Sequence, residues 1–206
     1  MAQITSGFRA IFSNPIVYNL AQNLVGAEKA RKKLVTLYFP PMQHLRMLDI
    51  GCGTAEILRH LPEEMNYHGF DASQEYIDQA EARFGHRGTF RAELVTESTI
   101  HDIPPFDLVL AFGLLHHLED HEAHALFQLA HAALTPSGKL ITIDPTYISH
   151  QQPIAKWLIS KDRGQNIRTP QGYEQLAHHA FNHVTVSVRD DMLHIPYHHT
   201  ILECTH

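Results

Sequence analysis

Several features that would place a protein in a specialised class are scarce or missing in this chain. It has two cysteines in 206 residues, Cys52 and Cys204, which are too few for a disulfide framework. We therefore expect two free thiols in a reducing, cytoplasmic compartment. No apolar run approaches the roughly 18 residues that cross a bilayer, and Arg9 interrupts a short apolar stretch near the N-terminus, where no cleavage-like site follows. The sequence indicates a soluble protein with no membrane partner.

Positive charge is also in short supply. Lys and Arg total 16 against 22 Asp and Glu, for a formal net charge of −6 at pH 7. The basic residues are scattered, apart from a cluster at residues 29–33 that we interpret as a solvated helix face. Nothing resembles the basic stripe of a nucleic-acid-binding protein, so no nucleic-acid partner is expected. The length suits one well-buried domain and is short for two.

Histidine, in contrast, is abundant, with 18 residues. His117, His121 and His124 are spaced so that they would share one helix face. The H-E-x-x-H pattern is absent, and the other histidines are scattered along the chain. We therefore expect solvated histidines and no metal site.

The most informative stretch is MLDIGCGTA at residues 47–55. A short apolar strand carries Asp49, and Gly51 and Gly53 follow, where the backbone can pass close to a ligand without a Cβ in the way. A helix over residues 54–61 is predicted, with N–H groups and the positive dipole end facing the loop. A carboxylate at Asp49 would repel a diphosphate but suits a cationic amino group. Ala55 stands where a dinucleotide fingerprint has its third glycine.

A second acid follows at the end of the next predicted strand. Asp71 lies 22 residues after Asp49, close to the roughly 20 residues between a glycine loop and the acid that binds ribose hydroxyls. A carboxylate accepts two such hydrogen bonds. The alternative is an ordinary helix cap, a role that Ser73 would fill equally well.

Residues 46–144 resemble the class I S-adenosylmethionine-dependent methyltransferases that act on small molecules, through D-x-G-x-G at Asp49, Gly51 and Gly53 and the later Asp71. The resemblance implies that the glycine loop holds the methionine part of S-adenosylmethionine and that Asp71 holds the ribose. Glu93 and Leu94, with Glu97 as an alternative, would hold the adenine. The full set of cofactor-binding residues that it implies is Asp49, Gly51, Cys52, Gly53, Asp71, Ala72, Glu93, Leu94, Ala111 and Phe112.

The stretch after the fourth predicted strand is the candidate catalytic segment. Residues 108–112 form a continuous apolar run, as a buried parallel strand requires, and the sequence GLLHHL follows. By resemblance this segment lines the face where the methyl group is presented. His116 or His117 is therefore a candidate general base or a residue that shapes the acceptor pocket, and His117 is preferred. The alternative is a histidine that caps or packs against the next helix.

Acceptor-binding residues are expected from three places. Residues 1–41 are predicted to form a helical cap, from which Tyr18 and Gln22 would reach the ligand. Tyr147, after the fifth strand, would face the acceptor cavity together with Asp144. An insertion at residues 148–170 contributes Lys161, Arg163 and Arg168, which would bind a carboxylate or phosphate; alternatively, Arg163 forms a surface pair with Asp162.

The sequence thus predicts one α/β folding unit: a Rossmann-like, seven-stranded, mostly parallel sheet with a C-terminal antiparallel hairpin in residues 42–206, preceded by the cap. The predicted function is methyl transfer from S-adenosylmethionine to oxygen or carbon of a small molecule, including an anionic metabolite. One alternative is an NAD-dependent oxidoreductase, which would favour the third glycine, no Asp49 and a parallel sixth strand. Another is a sensor or subunit that binds S-adenosylmethionine without turnover. The sequence leaves monomer and homodimer open.

Overall fold

The computed structural model describes residues 26–41, 44–162 and 164–206. Three predicted acceptor-binding residues, Tyr18, Gln22 and Arg163, lie outside these ranges, as does most of the predicted N-terminal cap. Within the described part of the chain, no helix combines the length and apolar character that crossing a membrane requires.

A seven-stranded sheet organises the fold, in the order β3-β2-β1-β4-β5-β7-β6. Strands β1 to β5 pair in parallel, whereas β7 lies antiparallel between β5 and β6. The predicted mostly parallel sheet with a C-terminal antiparallel hairpin is confirmed. The strands are β1 Arg46–Ile50, β2 Asn66–Phe70, β3 Gly88–Arg91, β4 Phe106–Phe112, β5 Leu134–Pro145, β6 His183–Arg189 and β7 His199–Thr205.

Six α-helices and two short 3₁₀ helices are found in the described residues. The helices are α1 Ala27–Tyr38, α2 Gln74–Phe84, α3 Glu97–Ile100, α4 Asp120–Ala133, α5 Pro153–Ser160 and α6 Pro170–Ala177, and the 3₁₀ helices are Glu56–His60 and Leu115–His117.

Two predicted elements are shorter than expected. The helix predicted over residues 54–61 is the 3₁₀ helix Glu56–His60, because Ala55 adopts a left-handed conformation (φ 54°) and Leu61, which precedes a proline, is extended. Such a short element has almost no dipole to offer a ligand, which corrects that expectation. The sequence also predicts a third strand over residues 88–95, which ends at Arg91, because its partner β2 ends at Phe70, directly opposite.

Side chains alternate between two hydrophobic clusters, one on each face of the sheet. On β1, Leu48 and Ile50 join the cluster under α4 and α6, whereas Met47 joins the cluster under α1. Residues 108–111 of β4 are 0% exposed, as expected for a central parallel strand. This arrangement brings the carboxyl ends of β1, β2, β4 and β5 to one edge, where open α/β sheets bind ligands.

Candidate functional site

The glycine loop after β1 lies at this edge and faces open space. The amides of Gly51 and Cys52 donate to the Phe70 carbonyl at 2.8 and 3.0 Å, which fixes the loop against the end of β2. Gly51 and Gly53 have φ values of 75° and 54°, a region that side chains disfavour. A Cβ at Gly53 would meet no atom within 4 Å. The loop therefore leaves room for a ligand directly above Gly53.

Asp71 connects the glycine loop to the loop after β2. One carboxylate oxygen accepts a hydrogen bond from the Gly53 amide at 3.0 Å and the other accepts from the Ser73 amide at 2.8 Å. Ser73 itself caps α2 by accepting from the Tyr76 amide, so the helix-cap role belongs to Ser73. Each carboxylate oxygen keeps a further lone pair, and burial raises the pKa of Asp71. Asp71 thus orders the loop and retains acceptors for a ligand.

Asp49 is a buried carboxylate with one oxygen available. It is 3% exposed, and Oδ2 accepts a hydrogen bond from the Tyr67 hydroxyl at 2.6 Å. Within the described residues Oδ1 has no hydrogen-bond partner. Burial, opposed by the Tyr67 hydrogen bond, raises the pKa of Asp49 to about 7. An unsatisfied buried carboxylate oxygen is costly without a ligand and matches a ligand ammonium group.

Arg31 is a residue that the sequence reasoning missed. It lies on α1 three and four residues before Leu34 and Val35, which are both buried, so it shares the helix face that packs on the sheet. Its guanidinium carbon is 5.8 Å from the centroid of the Phe112 ring, and its charge favours the ionised form of Asp49. The sequence feature that could have indicated Arg31 is a basic residue within the apolar stripe of an amphipathic helix.

The predicted adenine-binding residues are exposed, unlike the two acids beside the glycine loop. Glu93 forms an exposed ion pair with Arg91 at 3.6 Å, and Leu94 is 60% exposed, both beyond the end of β3. Ala72 and Glu97 are also exposed. Cys52 is half-buried in the glycine loop, and burial raises the pKa of its thiol. The structure brings Asp49, Gly51, Cys52, Gly53 and Asp71 together, while the adenine roles stay predictions.

At the neighbouring part of the edge, His116 is held between two carboxylates. It is 5% exposed, with Nδ1 2.7 Å from Asp144 Oδ1 and Nε2 3.2 Å from Asp162 Oδ1. Burial disfavours a charged ring, but the two carboxylates outweigh it and raise the pKa of His116 to about 9. Both ring nitrogens lie within hydrogen-bond distance of acids, which favours the protonated imidazolium. His116 therefore does not fit the predicted role of general base, and it matches the packing alternative.

Asp162 belongs to the insertion, and its contact with His116 joins the insertion to the end of the sheet. It also accepts hydrogen bonds from the Gly164 amide at 2.9 Å and the Tyr197 hydroxyl at 2.6 Å. Burial would raise the pKa of Asp162, but the hydrogen bonds and the charge of His116 hold it well below its usual range. A Cβ at Gly164 would clash with His116 Cδ2, so the insertion packs directly on the ring.

Two other predicted residues flank this cluster. Asp144, expected to face the acceptor cavity, is 1% exposed and instead faces His116, which corrects that expectation. His117 is half-buried, and its ring lies 4.1 Å from that of His116 at an interplanar angle of 39°. Tyr147 is also half-buried, and its amide donates to the Arg168 carbonyl at 3.2 Å. The roles of His117 and Tyr147 stay predictions.

Arg168 is fully engaged within the protein, contrary to its predicted role in binding an anion. Nε and Nη2 donate to Asp120 Oδ1 at 3.0 and 2.7 Å. Nη1 donates to the carbonyls of Leu115 and Asn166 at 2.9 and 3.0 Å, and Nη2 donates to the Leu118 carbonyl at 2.8 Å. A guanidinium has five N–H donors, and all are used to fasten the segment after β4.

At the carboxyl end of β4, Ala111 is fully buried and Phe112 is half-buried beside Arg31. No group of three or more His, Cys, Asp or Glu is arranged to hold a metal ion in the residues for which structure is given. The geometry therefore offers an open glycine loop with two acids and, next to it, a closed ionic cluster.

Comparison with known proteins finds a methyltransferase domain in part of this chain. Residues 48–140, from β1 into β5, match a family model described as a methyltransferase domain, whereas no curated protein sequence matches the chain. Among solved structures, the pyocyanin biosynthetic protein PhzM is 15% identical with a TM-score of 0.70, over 91% of this chain and 57% of that one. Human N-acetylserotonin methyltransferase, solved in complex with S-adenosylmethionine, is 17% identical with a TM-score of 0.69, over 97% and 59%.

A third structure is closer in length. A TehB-like S-adenosylmethionine-dependent methyltransferase from Corynebacterium glutamicum is 15% identical with a TM-score of 0.61, over 94% of this chain and 99% of that one. The chain thus spans less than two thirds of the first two proteins and nearly all of the third. At these identities the likeness shows a shared fold. Residues 48–140 match a methyltransferase domain, and the resemblance to class I methyltransferases predicted from the sequence is confirmed.

Proposed function

We propose that this protein transfers a methyl group from S-adenosylmethionine to a small-molecule acceptor. The observation that carries the proposal is the glycine loop, where Gly53 borders open space and donates to Asp71, and where the preceding strand carries Asp49 with a carboxylate oxygen that has no hydrogen-bond partner among the described residues. The methyltransferase-domain match covers the same segment. The loop and its two acids fit an amino-acid group joined to a nucleoside.

The charges at this edge suit the methionine part of the cofactor. Asp49 Oδ1 would accept from the ammonium group, which relieves an unsatisfied buried acceptor. Arg31, whose charge acts on Asp49, would bind the carboxylate as a bidentate donor. Asp71 would use its remaining lone pairs for the ribose hydroxyls.

S-adenosylmethionine supplies a methyl group that its sulfonium already activates. The residues of this chain therefore need to bind both molecules, orient them and exclude water. We propose oxygen or carbon as the methylated atom. Where the acceptor group is a hydroxyl, His117 would accept its proton. Because Arg168 is engaged, the proposal of an anionic acceptor rests on the exposed Lys161 among the described residues.

The structure also bears on the two alternative functions, an NAD-dependent oxidoreductase and a binding protein without turnover. The position of β7, antiparallel between β5 and β6, and the carboxylate at Asp49 both disfavour an NAD-dependent oxidoreductase. The closed cluster around His116 favours, as a second candidate, a sensor or subunit that binds S-adenosylmethionine without turnover.

The test is product formation. The protein would be incubated with S-adenosylmethionine and panels of phenols, carboxylates and enolisable ketones, and methylated products would be measured by mass spectrometry. We expect a product in at least one panel, with a rate at least tenfold lower in Asp71→Asn. Asp102→Asn, at a side chain that is 98% exposed, is the control and should leave the rate unchanged. Cofactor binding without any product would favour the sensor or subunit.

A further inference from the structure

A cavity lies against the lysine-bearing face of α1. It has a volume of about 770 Å³ and is bordered by Lys29, Lys32, Lys33, Arg189 and His194. We call it the lysine cleft. Its volume falls within the roughly 300–1,000 Å³ of typical small-molecule sites. At about 100° per residue, Arg31 lies about 160° around the helix from Lys29 and Lys33, so the cleft is separate from the proposed cofactor site.

The lysine cleft is positive in a chain that is negative overall. Its border contains four basic side chains, Lys29, Lys32, Lys33 and Arg189, and one acid, Glu28. Asp191, which pairs with Lys33 and Arg189, is the second acid that bears on it. The local balance is still positive, whereas the whole chain has a formal net charge of −6. The cleft therefore attracts anions that the rest of the surface repels.

Two of the lysines are held in place and keep donors available. Lys29 Nζ donates to the Leu193 carbonyl at 3.0 Å, and Lys33 Nζ pairs with Asp191. Both side chains are half-buried, and Lys32 beside them is exposed. Each ammonium has three N–H donors, and the contacts of Lys29 and Lys33 use one apiece. A helix face that is merely solvated needs no such fixed contacts around a cavity.

The chemistry of the cleft selects the ligand class. Several ammonium groups around one space match a group with several anionic oxygens. Leu37, which borders the cleft and is 52% exposed, offers an apolar surface to the carbon part of a ligand. We propose that the lysine cleft binds a phosphate-bearing ligand, either a free phosphorylated molecule or a lipid headgroup.

Calorimetry with sodium pyrophosphate on the full chain tests the free-ligand arm. We expect binding that weakens as salt is added and that becomes at least tenfold weaker in the double variant Lys29→Gln, Lys32→Gln. The matched control, Arg59→Gln with Lys156→Gln, removes the same charge elsewhere and should bind like the wild type. Circular dichroism checks that both variants are folded.

Co-sedimentation with vesicles tests the headgroup arm, using phosphatidylglycerol in phosphatidylcholine against phosphatidylcholine alone. Binding to the anionic vesicles that depends on Lys29 and Lys32, without pyrophosphate binding, would assign the cleft to a lipid headgroup. Absence of binding in both arms, or an equal loss in the control variant, would overturn the proposal. Neither readout involves S-adenosylmethionine, so the result is independent of the proposed function.

Discussion

The two halves of the ligand edge use their polar groups in opposite ways. At the glycine loop, Asp49 keeps an oxygen without a hydrogen-bond partner among the described residues, and Gly53 borders open space. At the ends of β4 and β5, both ring nitrogens of His116 face carboxylates and all five donors of Arg168 are used. Both halves are rich in charged residues, and each keeps a buried carboxylate oxygen without a hydrogen-bond partner among the described residues, Asp49 Oδ1 and Asp144 Oδ2. The glycine loop borders open space, whereas the insertion packs on the His116 ring. Open space beside the polar groups, rather than the number of charged residues, distinguishes a binding site from a structural cluster.

The largest effect is expected from removing the centre of the closed half. His116→Ala would leave Asp144, which is 1% exposed, as an unpaired buried charge. Losing one partner of a buried pair costs about 3–5 kcal/mol of unfolding free energy. Urea denaturation measures it, with His117→Ala as the matched control, for which we expect a loss below about 1 kcal/mol. Equal losses in the two variants would contradict the structural role of His116.

The second prediction concerns the clamp that fastens the segment after β4. Arg168→Lys keeps the charge but cannot reach the carbonyls of Leu115 and Leu118 together with Asp120. We expect a loss of about 2 kcal/mol in unfolding free energy, because buried carbonyls lose donors. Arg91→Lys, at an exposed ion pair with Glu93, is the control and should change it by less than about 0.5 kcal/mol. A control loss as large as that of Arg168→Lys would refute the clamp.

The third prediction addresses the open half. Asp49→Asn keeps an acceptor for the Tyr67 hydroxyl but removes the charge that would meet an ammonium group. Affinity for S-adenosylmethionine should fall about tenfold or more, equivalent to about 1.4 kcal/mol, while the unfolding free energy is unchanged or higher, because no charge remains to be desolvated. Calorimetry and urea denaturation separate the two effects. Loss of stability with unchanged affinity would show that Asp49 acts only in folding.

The smallest effect is the pH dependence that separates the halves. The folded pKa of His116, about 9, exceeds its ordinary value of 6.5. Its stabilising contribution is therefore fully present below pH 6.5 and is lost as the pH rises through about 9. We expect the unfolding free energy of the wild type to decline over this window more steeply than that of His116→Gln. Parallel profiles for the two proteins would contradict the paired imidazolium.

Sequence reasoning predicted the features that depend on local pattern. The apolar run of β4 and the glycine loop are recognisable because their residues are neighbours in the chain, and the order of hydrophobic segments indicates a parallel sheet. The length of the helix predicted over residues 54–61 was not predictable in this way, because it depends on the left-handed conformation of Ala55.

The pairings of the closed half were beyond sequence reasoning for a physical reason. Arg168 and Asp120 are 48 residues apart, and His116 meets Asp162 only because the insertion folds back onto the sheet. No spacing rule connects such positions, so Arg168 was predicted as a ligand-binding residue from its chemistry alone. Arg31 was missed because its position near Asp49 depends on which face of α1 packs on the sheet.

The central claim is that the open half binds S-adenosylmethionine. The most direct measurement is isothermal titration calorimetry with S-adenosylmethionine, S-adenosylhomocysteine and NAD, on the wild type and on Asp71→Asn. We predict micromolar binding of both adenosyl ligands by the wild type, at least tenfold weaker binding by the variant, and no comparable affinity for NAD. Absence of adenosyl-ligand binding, or a preference for NAD, would contradict the account.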